Sequence, residues 1–498
     1  MDRQPVLVYS SAALRAADAR ATGELGIAGY ALMTRAGEDA LRALRAQWPL
    51  ARRLLIVCGR GNNGGDGYVV ARLARAAGLE ATLAAPAGPP AGGDALRAAE
   101  DWRTSGGAIT PWSTALLPAA DLVVDALLGV GLDREVAGPL AAVIEALNAA
   151  GRPVVALDVP SGLDSDSGCP RGVAVRVALT VSFMGLKPGF YLGAGPDYCG
   201  RLVCDDLDVP ASAFATPEPV LRRITAADLR ALLPRRPRLS HKGDNGRVLV
   251  IGGAPGMPGA VRLAGEAALR AGAGLVTLAT APVHAAVIAA ARPELICHGV
   301  DDARALEPLL AVADVVALGP GLGRSAWGRA LATAAFACAA PLVVDADALN
   351  VLAAEPRARA DWCLTPHPGE AARLLGCEVA AVQSDRLRAL RTLVARFGAT
   401  VLLKGAGTLI AGADGGPPWV CERGNPGMAV AGMGDVLTGV IAALAAQQPE
   451  PRAALTRAAA VAAWVHASAG DLAARGGERG ILASDLVALL PVCVNPAP

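Results

Sequence analysis

Short runs of apolar residues recur along the chain, and most are followed by a glycine-rich stretch and then by a helical pattern. In the first half these runs are RLLIVCG (53–59), ADLVVDALLG (120–129) and PVVALDVPSG (153–162). Apolar runs of this kind, alternating with helical segments such as YVVARLARAAG, are typical of buried parallel strands joined by helices. The pattern predicts an α/β fold, in which ligands bind where the strands end.

The alternation stops in a passage rich in Pro, Arg and Ala near residue 220 and then begins again. The strands predicted after it are RVLVIGG (247–253), LVTLAT (275–280), ADVVALGPG (313–321), PLVVDAD (341–347), WCLTPH (362–367) and TVLLKG (400–405). The glycine-rich loops of the two halves differ in sequence. We therefore predict two different α/β domains, residues 1–220 and 221–498, rather than one duplicated domain.

Composition and charge narrow the class of protein. Hydrophobic residues make up 53% of the chain and the net charge is +1, so neither nucleic acid nor an anionic membrane is expected as a partner. No window is typical of a membrane span, and the N-terminus lacks the basic and apolar regions of a signal peptide. The ten cysteines contain no CxxC pair, which suits a reducing compartment. We expect a cytoplasmic protein.

Lysine and histidine are distributed unevenly. The only lysines are Lys187, Lys242 and Lys404, each beside a glycine, so each is a candidate for a position that needs a compact ammonium group. All five histidines lie in the second half: His241, His284, His298, His367 and His466. Proton transfer in the first half must therefore use carboxylates, hydroxyls, water or Lys187.

Oxygen-bearing side chains follow three strands of the first half. GRGNNGGDG (59–67) opens a helix and offers two asparagines and Asp66, DALLGVGLDRE (125–135) offers Asp125, and DVPSGLDSDSG (158–168) offers Asp158 and Ser161. Any one of these aspartates alone is more often a helix cap or a turn former. Together, at successive strand ends, they favour a site that holds a hard cation.

The second half contains a helix start that is suited to binding an anion. In GNPGMAVAGMGDVLTG the backbone N–H groups of Gly432, Met433 and Gly434 precede the apolar helical pattern, and Asp435 lies in the first turn. A helix-start acid can be present only for stability. However, the three glycines of this segment (Gly427, Gly432 and Gly434) are unfavourable in a helix start selected only for stability, so a site is favoured.

Other loops of the second half are expected to converge on this helix start. KGAG (404–407) with Thr408 offers a lysine, amides and a hydroxyl to nucleotide phosphates, and GPGLG (319–323) lets backbone approach a flat ligand. HPGE (367–370) contains His367, which is either a contact to the ligand or a structural residue. Asp345 and Asp347 lie near a metal or, more commonly, are structural. Residues 242–260 are a candidate to close over a substrate.

The first half resembles a known family. GNNGGDG, DALLGVG and ALDVPSGLDS are similar to the N-terminal domain of the bifunctional NAD(P)H-hydrate repair enzymes, a Rossmann-like three-layer sandwich that interconverts the R and S hydrates. The resemblance implies a K+ ion held by Asn63, Asp125 and Ser161. It also implies substrate contacts from Asn62, Asn63, Gly64, Gly65, Asp66, Gly129, Val130, Gly131, Leu132, Asp133, Arg134, Glu135 and Asp158. In a half without histidine, Asp158 is the candidate acid or base, for ring opening or for dehydration and rehydration.

The second half resembles the ribokinase-like superfamily and, within it, the ADP- or ATP-dependent NAD(P)H-hydrate dehydratases, on HKGDNG, GPGLG, LTPHPGE, LLKGAGT and GNPGMAVAGMGD. The resemblance implies that Asp435 deprotonates the C6 hydroxyl of the hydrate as it attacks ADP, which yields AMP and phosphate with Mg2+ bridging. It implies hydrate contacts from Ala260, Gly323, His367 and Asp435, and nucleotide contacts from Lys404, Gly405, Ala406, Gly407, Thr408 and Gly434. The family usually has Gly-Thr-Gly-Asp where this chain has Gly-Met-Gly-Asp, which removes one hydroxyl near the phosphates.

Two alternatives are consistent with parts of the chain. A small-molecule kinase has the same helix start but releases a stable phosphorylated product, and the first domain is also compatible with an RNA-associated scaffold. The presence of both domains favours the repair of one metabolite, with NADHX, NADPHX and ADP as partners and no nucleic acid or membrane. A homo-oligomer is expected, and the preference for ADP over ATP stays open.

Overall fold

The computed structural model describes residues 5–495. The prediction about a signal peptide falls partly on residues 1–4, which lie outside the described residues. It divides into two compact units between Leu221 and Arg222, next to the expected boundary at residue 220. Each unit is built on a sheet with many parallel strands, which confirms the α/β class.

The first unit contains a parallel sheet. Its helices are α1 (Ser11–Gly23), α2 (Gly29–Gln47), α3 (Asn62–Ala76), α4 (Gly93–Thr104), α5 (Gly138–Ala149) and α6 (Gly195–Tyr198). Its strands are β1 (Leu7–Val8), β2 (Arg53–Cys58), β3 (Glu80–Ala84), β4 (Ile109–Thr110), β5 (Leu122–Ala126), β6 (Val154–Leu157), β7 (Leu179–Phe183) and β8 (Arg201–Asp205). The sheet order is β4-β3-β2-β5-β6-β7-β8, and all of its pairs are parallel.

Helices cover both faces of this sheet. Tyr68 of α3 and Trp102 of α4 lie in the core on one face, while Ile144 and Leu147 of α5 lie in the core on the other. The strand order changes direction between β2 and β5, where α3 begins and the loop after β5 leaves the sheet. Such a switch point leaves a crevice at the strand ends, and this is the position at which open α/β sheets bind ligands.

The second unit starts in the strand β9 (Leu221–Arg223). Its helices are α7 (Ala226–Leu232), α8 (Pro258–Arg270), α9 (Pro282–Ala291), α10 (Glu307–Leu310), α11 (Ala326–Phe336), α12 (Ala346–Ala354), α13 (Pro368–Leu375), α14 (Val379–Ser384), α15 (Arg386–Phe397), α16 (Met433–Ala446), α17 (Pro451–Ala473) and α18 (Ala483–Val494). Its further strands are β10 (Arg247–Ile251), β11 (Leu275–Thr280), β12 (Ile296–Gly299), β13 (Val315–Leu318), β14 (Leu342–Val344), β15 (Trp362–Leu364), β16 (Thr400–Leu403), β17 (Thr408–Ala411) and β18 (Trp419–Cys421).

The strands of the second unit run in the order β9-β18-β17-β16-β15-β14-β13-β10-β11-β12. The six strands predicted from sequence are present and parallel in the centre of this order. The sequence did not predict the antiparallel β16-β17-β18 segment or the exposed edge strand β12. The mostly exposed β12 lacks a buried apolar run, and β17 is joined to its neighbours by antiparallel pairing rather than by a helix. These strands therefore do not follow the alternation of buried strand and helix on which the prediction depended.

The helix α16 lies at the centre of the second unit. Every residue from Val436 to Ala446 is buried, as expected for a helix that is apolar on all sides. Gly439 permits close contact with α8, because a Cβ at this position would overlap the backbone carbonyl oxygen of Ala264. Since α16 begins at the predicted anion-binding segment, this packing also fixes the position of that segment.

Two features of the described chain concern its environment. Within residues 5–495 no helix is both long enough and apolar enough to span a bilayer. All ten cysteines are free thiols.

We predict that Gly439→Ala destabilises the second unit by about 1–3 kcal/mol, because the added methyl group forces α16 away from α8. Alanine has the higher intrinsic helix propensity, by up to about 1 kcal/mol, so a net loss can only come from the packing clash. Urea unfolding followed by circular dichroism measures the effect. Gly476→Ala is the control, since a Cβ there meets open space. It should stay within about 0.5 kcal/mol of the parent, and equal behaviour of the two variants would contradict the packing argument.

Candidate active sites

The predicted cation ligands of the first unit meet at the switch point. Asp125 lies in β5 with no exposed surface, and it accepts hydrogen bonds from the hydroxyl of Ser161 at 2.6 Å and from the backbone N–H of Ser161 at 2.8 Å. Asn63, in the first turn of α3, donates from Nδ2 to the carbonyl oxygen of Leu128 at 2.8 Å. The ends of β5, β6 and α3 are thereby joined in one cluster.

This cluster contains oxygen atoms that could coordinate a cation. Burial raises the pKa of Asp125 to about 6, against the hydrogen bonds from Ser161 and Leu127 that lower it. The Oδ1 atom of Asn63 is buried without a hydrogen-bond partner. A buried carboxylate beside an unpaired carbonyl oxygen suits a monovalent cation better than empty space. The described residues contain no group of three or more His, Cys, Asp or Glu arranged around a common metal position.

Asp158 directly follows β6 and is held by Lys187. Its backbone has a φ of 63°, which is unusual for a residue with a side chain. Lys187 has a side chain that is 1% exposed, and its Nζ donates to Asp158 Oδ1, to Ser182 Oγ at 2.8 Å and to the carbonyl oxygen of Phe183 at 3.1 Å. All three N–H donors of the lysine are therefore used, and they fix its position beside Asp158.

Asp66 lies near Asp158 and has a strongly perturbed carboxyl group. Burial raises the pKa of Asp66 well above its ordinary value, and the charges of Asp158 and Asp18 raise it further. Asp18 is carried by α1, and burial raises its pKa as well. A carboxyl group that favours the protonated form, next to a second carboxyl group held by a lysine, is a combination suited to general acid–base chemistry.

The other predicted substrate contacts of the first unit lie around these carboxylates or on the exposed loop. Gly64 and Gly65 are buried in α3 and Asn62 is exposed at its start. A Cβ at Gly129 would lie 3.2 Å from Asn63 Cβ, and the carbonyl oxygen of Val130 accepts a hydrogen bond from Arg15 of α1 at 3.1 Å. Four of the next five residues, Gly131, Asp133, Arg134 and Glu135, are exposed, and Leu132 is partly exposed.

The predicted anion-binding segment of the second unit does begin a helix. Gly432 is the N-cap of α16 with a φ of 89°, a conformation that glycine adopts without strain. Asp435 lies in the first turn, and burial together with the charge of Asp345 raises the pKa of Asp435 to about 7, although Lys404 opposes this shift. A carboxyl group that titrates near neutral pH at a helix N-terminus is suited to act as a general base beside an anion.

Lys404 is paired with Asp345 rather than free. Its Nζ donates to Asp345 Oδ1 at 2.8 Å and lies 3.7 Å from Glu370 Oε2. Asp345 directly follows β14, is buried, and also accepts from the hydroxyl of Thr438 in α16 at 2.7 Å. Burial raises the pKa of Asp345, but Lys404 and the hydroxyl groups outweigh it and hold the pKa below its ordinary value.

The 404–408 loop is exposed on one side. Gly405 and Ala406 are exposed, and Gly407 has a φ of 62°. The hydroxyl of Thr408 donates to the carbonyl oxygen of Gly405 at 2.8 Å, so it stabilises the conformation of the loop. Gly434 lies beside the loop, because a Cβ on Gly434 would be 3.4 Å from Lys404 Nζ.

His367 caps a helix at the edge of this cluster. Its Nδ1 accepts from the backbone N–H groups of Gly369 at 3.0 Å and Glu370 at 3.3 Å, while Glu370 accepts from the N–H of His367 at 2.8 Å. Burial lowers the pKa of His367, and the charge of Lys404 lowers it further. Because Nδ1 is an acceptor, the ring presents its Nε2 proton on a side chain that is half exposed.

The two remaining predicted contacts lie on a pair of loops that pack together. The N–H of Gly253 donates to the carbonyl oxygen of Pro320 at 3.0 Å, and that of Ala254 donates to Gly321 at 2.7 Å. Gly321 lies beside Ala260, because a Cβ on it would be 3.2 Å from Ala260 Cβ. The N–H of Gly323 donates to Asp347 Oδ2 at 2.9 Å, so Asp347 acts on this loop rather than at the Lys404 cluster.

The sequence singled out Lys187 and Asp345 but did not place them in the sites. Lys187 is one of only three lysines, and that scarcity was the available signal. Nothing in the sequence paired it with Asp158, or paired Lys404 with Asp345, because both pairs join separate loops through the fold.

The fold and the sites define a class. The first unit is a Rossmann-like domain with a carboxylate cluster at its switch point, and the second is an α/β domain in which Asp435 lies in the first turn of a helix that begins at a glycine N-cap. The sequence profile described as NAD(P)H-hydrate dehydratase matches residues 248–491, and the profile described as YjeF-related protein N-terminus matches residues 29–189.

Relatives match over nearly the full length. The bifunctional NAD(P)H-hydrate repair enzyme Nnr of Coxiella burnetii is 48% identical over 475 residues, which covers 95% of this chain and 96% of the relative. The enzyme of the same name from Escherichia coli is 44% identical over 495 residues, 99% of this chain and 95% of the relative. The chain therefore belongs to the family of bifunctional NAD(P)H-hydrate repair enzymes, as the sequence resemblance predicted.

Solved structures support the fold of the second unit. A ribokinase-like superfamily protein from Enterococcus faecalis matches with a TM-score of 0.50 and 30% identity, over 55% of this chain and 95% of that protein. A hypothetical protein from Streptococcus mutans matches with a TM-score of 0.50 and 29% identity, over 54% of this chain and 98% of that protein. The ribokinase-like prediction is confirmed.

We predict that Asp435→Asn stabilises the second unit at pH 8 but changes little at pH 4. A carboxyl group whose pKa is raised to about 7 by folding contributes stability below its unfolded pKa and loses that contribution as the pH rises to about 7. The amide does not titrate, so the benefit of the substitution should grow between pH 4 and pH 7. Thermal unfolding at a series of pH values measures this.

Glu266→Gln provides a control of opposite sign. Burial raises the pKa of Glu266, but Arg262 and Arg292 outweigh it and hold the pKa below its ordinary value. Its contribution is present above the unfolded pKa and is lost as the pH falls, so this variant should be less stable than the parent at pH 8. A destabilising effect of Asp435→Asn at pH 8 would show that Asp435 is an ordinary helix-start acid.

Proposed function

We propose that this chain repairs hydrated NADH and NADPH in two steps. Residues 1–220 form an epimerase that interconverts the R and S hydrates, and residues 221–498 form a dehydratase that returns the S hydrate to NAD(P)H with ADP. The observation that carries the proposal is Asp435, a carboxyl group with a pKa of about 7 at the start of a buried helix, in a chain whose full-length relatives are named for this repair.

The epimerase step needs little more than a held ring and a mobile proton. In the hydrate the C6 hydroxyl is next to the ring nitrogen, whose lone pair weakens both the C6–O bond and the ring. Asp158 is the proposed acid or base, and Lys187 fixes its position. Asp66 is the proposed second proton carrier, because its raised pKa favours the protonated form. Ring opening and dehydration followed by rehydration would both use these groups.

A K+ ion is proposed at Asn63, Asp125 and Ser161. The unpaired Asn63 Oδ1 and the buried Asp125, for which the hydrogen bonds come only from neutral groups, support this assignment. When bound, the ion would supply a positive charge beside the substrate loop. The residues themselves hold the ends of α3, β5 and β6 together, next to Gly129 and Asp158.

The dehydratase step turns a poor leaving group into a good one. Asp435 takes the proton of the C6 hydroxyl while the oxygen attacks the terminal phosphorus of ADP, so a C6–O–P bond forms and AMP leaves. Phosphate then departs with the C6–O electron pair, assisted by the ring nitrogen, and loss of a C5 proton restores the double bond. The N–H groups at the start of α16 stabilise the phosphate charge.

The nucleotide is proposed to bind at Lys404–Thr408 and Gly434, and the hydrate at Ala260, Gly323, His367 and Asp435. Asp345 and Glu370 lie beside Lys404 of the 404–408 loop. Hard oxygen donors of this kind fit Mg2+, which would neutralise phosphate charge there. Because Asp435 must be ionised to act, the dehydratase rate should fall as the pH drops below about 7.

A cytoplasmic location suits ten free thiols, and the homo-oligomer stays a prediction.

We predict a reciprocal loss of activity in two variants. With a mixture of R and S hydrates, ADP and Mg2+, the parent should convert both forms to NADH. Asp435→Asn should slow dehydration by about 10²–10⁴-fold yet still equilibrate the two hydrates, because the general base is lost and the first unit is intact. Asp158→Ala should consume the S form and leave the R form to spontaneous exchange. Absorbance of the restored ring and chromatography of the hydrates measure the two steps.

Each variant serves as the folding control of the other. Accumulation of a stable phosphorylated hydrate by the parent protein would instead favour the small-molecule kinase. A parent protein that leaves the R form untouched, or that binds RNA in a gel-shift assay, would favour the scaffold alternative for the first domain.

We predict that K+ raises the thermal stability of the first unit and that Asp125→Asn abolishes this effect. A ligand that binds only the folded state at 100 times its Kd stabilises by about 2.7 kcal/mol. Melting curves in KCl and in tetramethylammonium chloride of equal ionic strength isolate the ion. Asp197→Asn is the control, since it removes an exposed acid from the same unit. The assignment is wrong if the parent shows no K+ effect or if Asp125→Asn retains it.

A further inference from the structure

A buried arginine lies behind the 404–408 loop. Arg386, the first residue of α15, is 6% exposed. Its Nη2 is 3.3 Å from each of the carbonyl oxygens of Leu403, Lys404 and Gly407, and its Nη1 donates to Gln383 Oε1 at 3.2 Å. The guanidinium therefore contacts the last residue of β16 and two residues of the loop itself.

Among residues 5–495, no carboxylate forms an ion pair with Arg386. All four of its side-chain hydrogen bonds end on neutral oxygens, and its Nε is buried without a partner. Burial lowers the pKa of Arg386 to about 10, so the group is still charged at neutral pH. An isolated charge in a poorly hydrated position is unfavourable, and buried arginines are normally paired with a carboxylate. Stability alone gives no reason to keep one here.

Gly405 allows the guanidinium to approach. Its φ is 141°, and a Cβ on Gly405 would lie 2.5 Å from Arg386 Nη1. The carbonyl oxygen of Lys404 and the N–H of Gly405 belong to one planar peptide and point in opposite directions. Holding the carbonyl against Arg386 therefore turns this N–H toward the exposed side of the loop.

The other cation of the loop is already neutralised. Lys404 is bonded to Asp345 and lies near Glu370, so its charge is largely compensated by two carboxyl groups. The uncompensated positive charge behind the loop is that of Arg386. In a medium that screens poorly, such a charge acts on an anion that it does not touch.

We propose that Arg386 is a positioning residue that supplies the positive charge for the polyphosphate of the nucleotide and directs the Gly405 N–H toward it. The proposal deepens, and rests on, the nucleotide site of the proposed function. The ligand it recognises is a nucleoside diphosphate, and its contribution acts on phosphate charge rather than on the base or on the hydrate.

The test compares Arg386→Gln, Arg386→Lys and the control Arg388→Gln in the full chain. Arg388 lies on the same helix but is exposed, so its substitution removes the same charge from outside the loop. Arg386→Gln should raise the Kd and the KM for ADP about tenfold or more, with kcat at saturating ADP within about threefold of the parent. Arg386→Lys should recover most of the loss, and Arg388→Gln should match the parent.

A comparison of the affinities for ADP, AMP and adenosine distinguishes an effect of the Arg386 charge on phosphate from a general loss of loop structure. If Arg386 acts by charge, the loss of affinity in Arg386→Gln decreases from ADP to AMP and disappears for adenosine. Equal losses for the three ligands, or a fall in kcat at unchanged Kd, would overturn the inference. If Arg386→Gln does not fold, the Arg386→Lys variant decides, since a loss of ADP affinity of about tenfold or more in a variant that keeps the positive charge would show that charge is not what matters.

Failure of the proposed function gives a different result. In that case the parent itself neither binds nor consumes ADP, and none of the variants differs from it. A parent that binds ADP normally, with an Arg386→Gln variant that binds it equally well, contradicts only the inference about Arg386.

Discussion

A lysine–aspartate pair at the end of a parallel strand organises each site. Lys187 holds Asp158 after β6, and Lys404 holds Asp345 after β14. In both units a second carboxyl group lies nearby, Asp66 in the first unit and Asp435 in the second, and its pKa is raised by burial and then by the paired aspartate. A carboxyl group with a raised pKa beside a second, positioned carboxyl group suits acid–base chemistry at neutral pH. Two of the three lysines of the chain are used for this purpose, and arginine, with its wider planar group, serves elsewhere.

The sites contain features that are unfavourable for stability. Asp125 and Asp435 are acids whose ionised forms are disfavoured by burial, and Arg386 is a cation without a counter-charge. For Asp125 and Arg386, the proposed ligands, a cation and a polyphosphate, carry the opposite charge. Until they bind, the fold is maintained by the aliphatic cores, in particular by the contact of α16 with α8 at Gly439. Stability and ligand binding thus depend on different parts of each unit.

Much of this organisation was predictable from local patterns. The central strands, the α/β class, the family and the helix start before Asp435 all depend on residues that are close in sequence, such as apolar runs and glycine-rich loops. The sequence also indicated which of its residues were unusual, since lysines beside glycine are scarce in this arginine-rich chain. It gave weaker signals for β12, β17 and β18, whose pairing depends on neighbours far along the chain.

The sequence by itself determined the elements, the order of the loops and the types of chemical group that each loop carries. Only the tertiary structure decided which groups face one another: Lys187 with Asp158, Lys404 with Asp345 instead of open solvent, the Thr408 hydroxyl with its own loop, and Arg386 behind that loop. The physical reason is that local conformation follows from neighbouring residues, whereas the charge state and direction of a side chain follow from burial and from partners brought by distant segments.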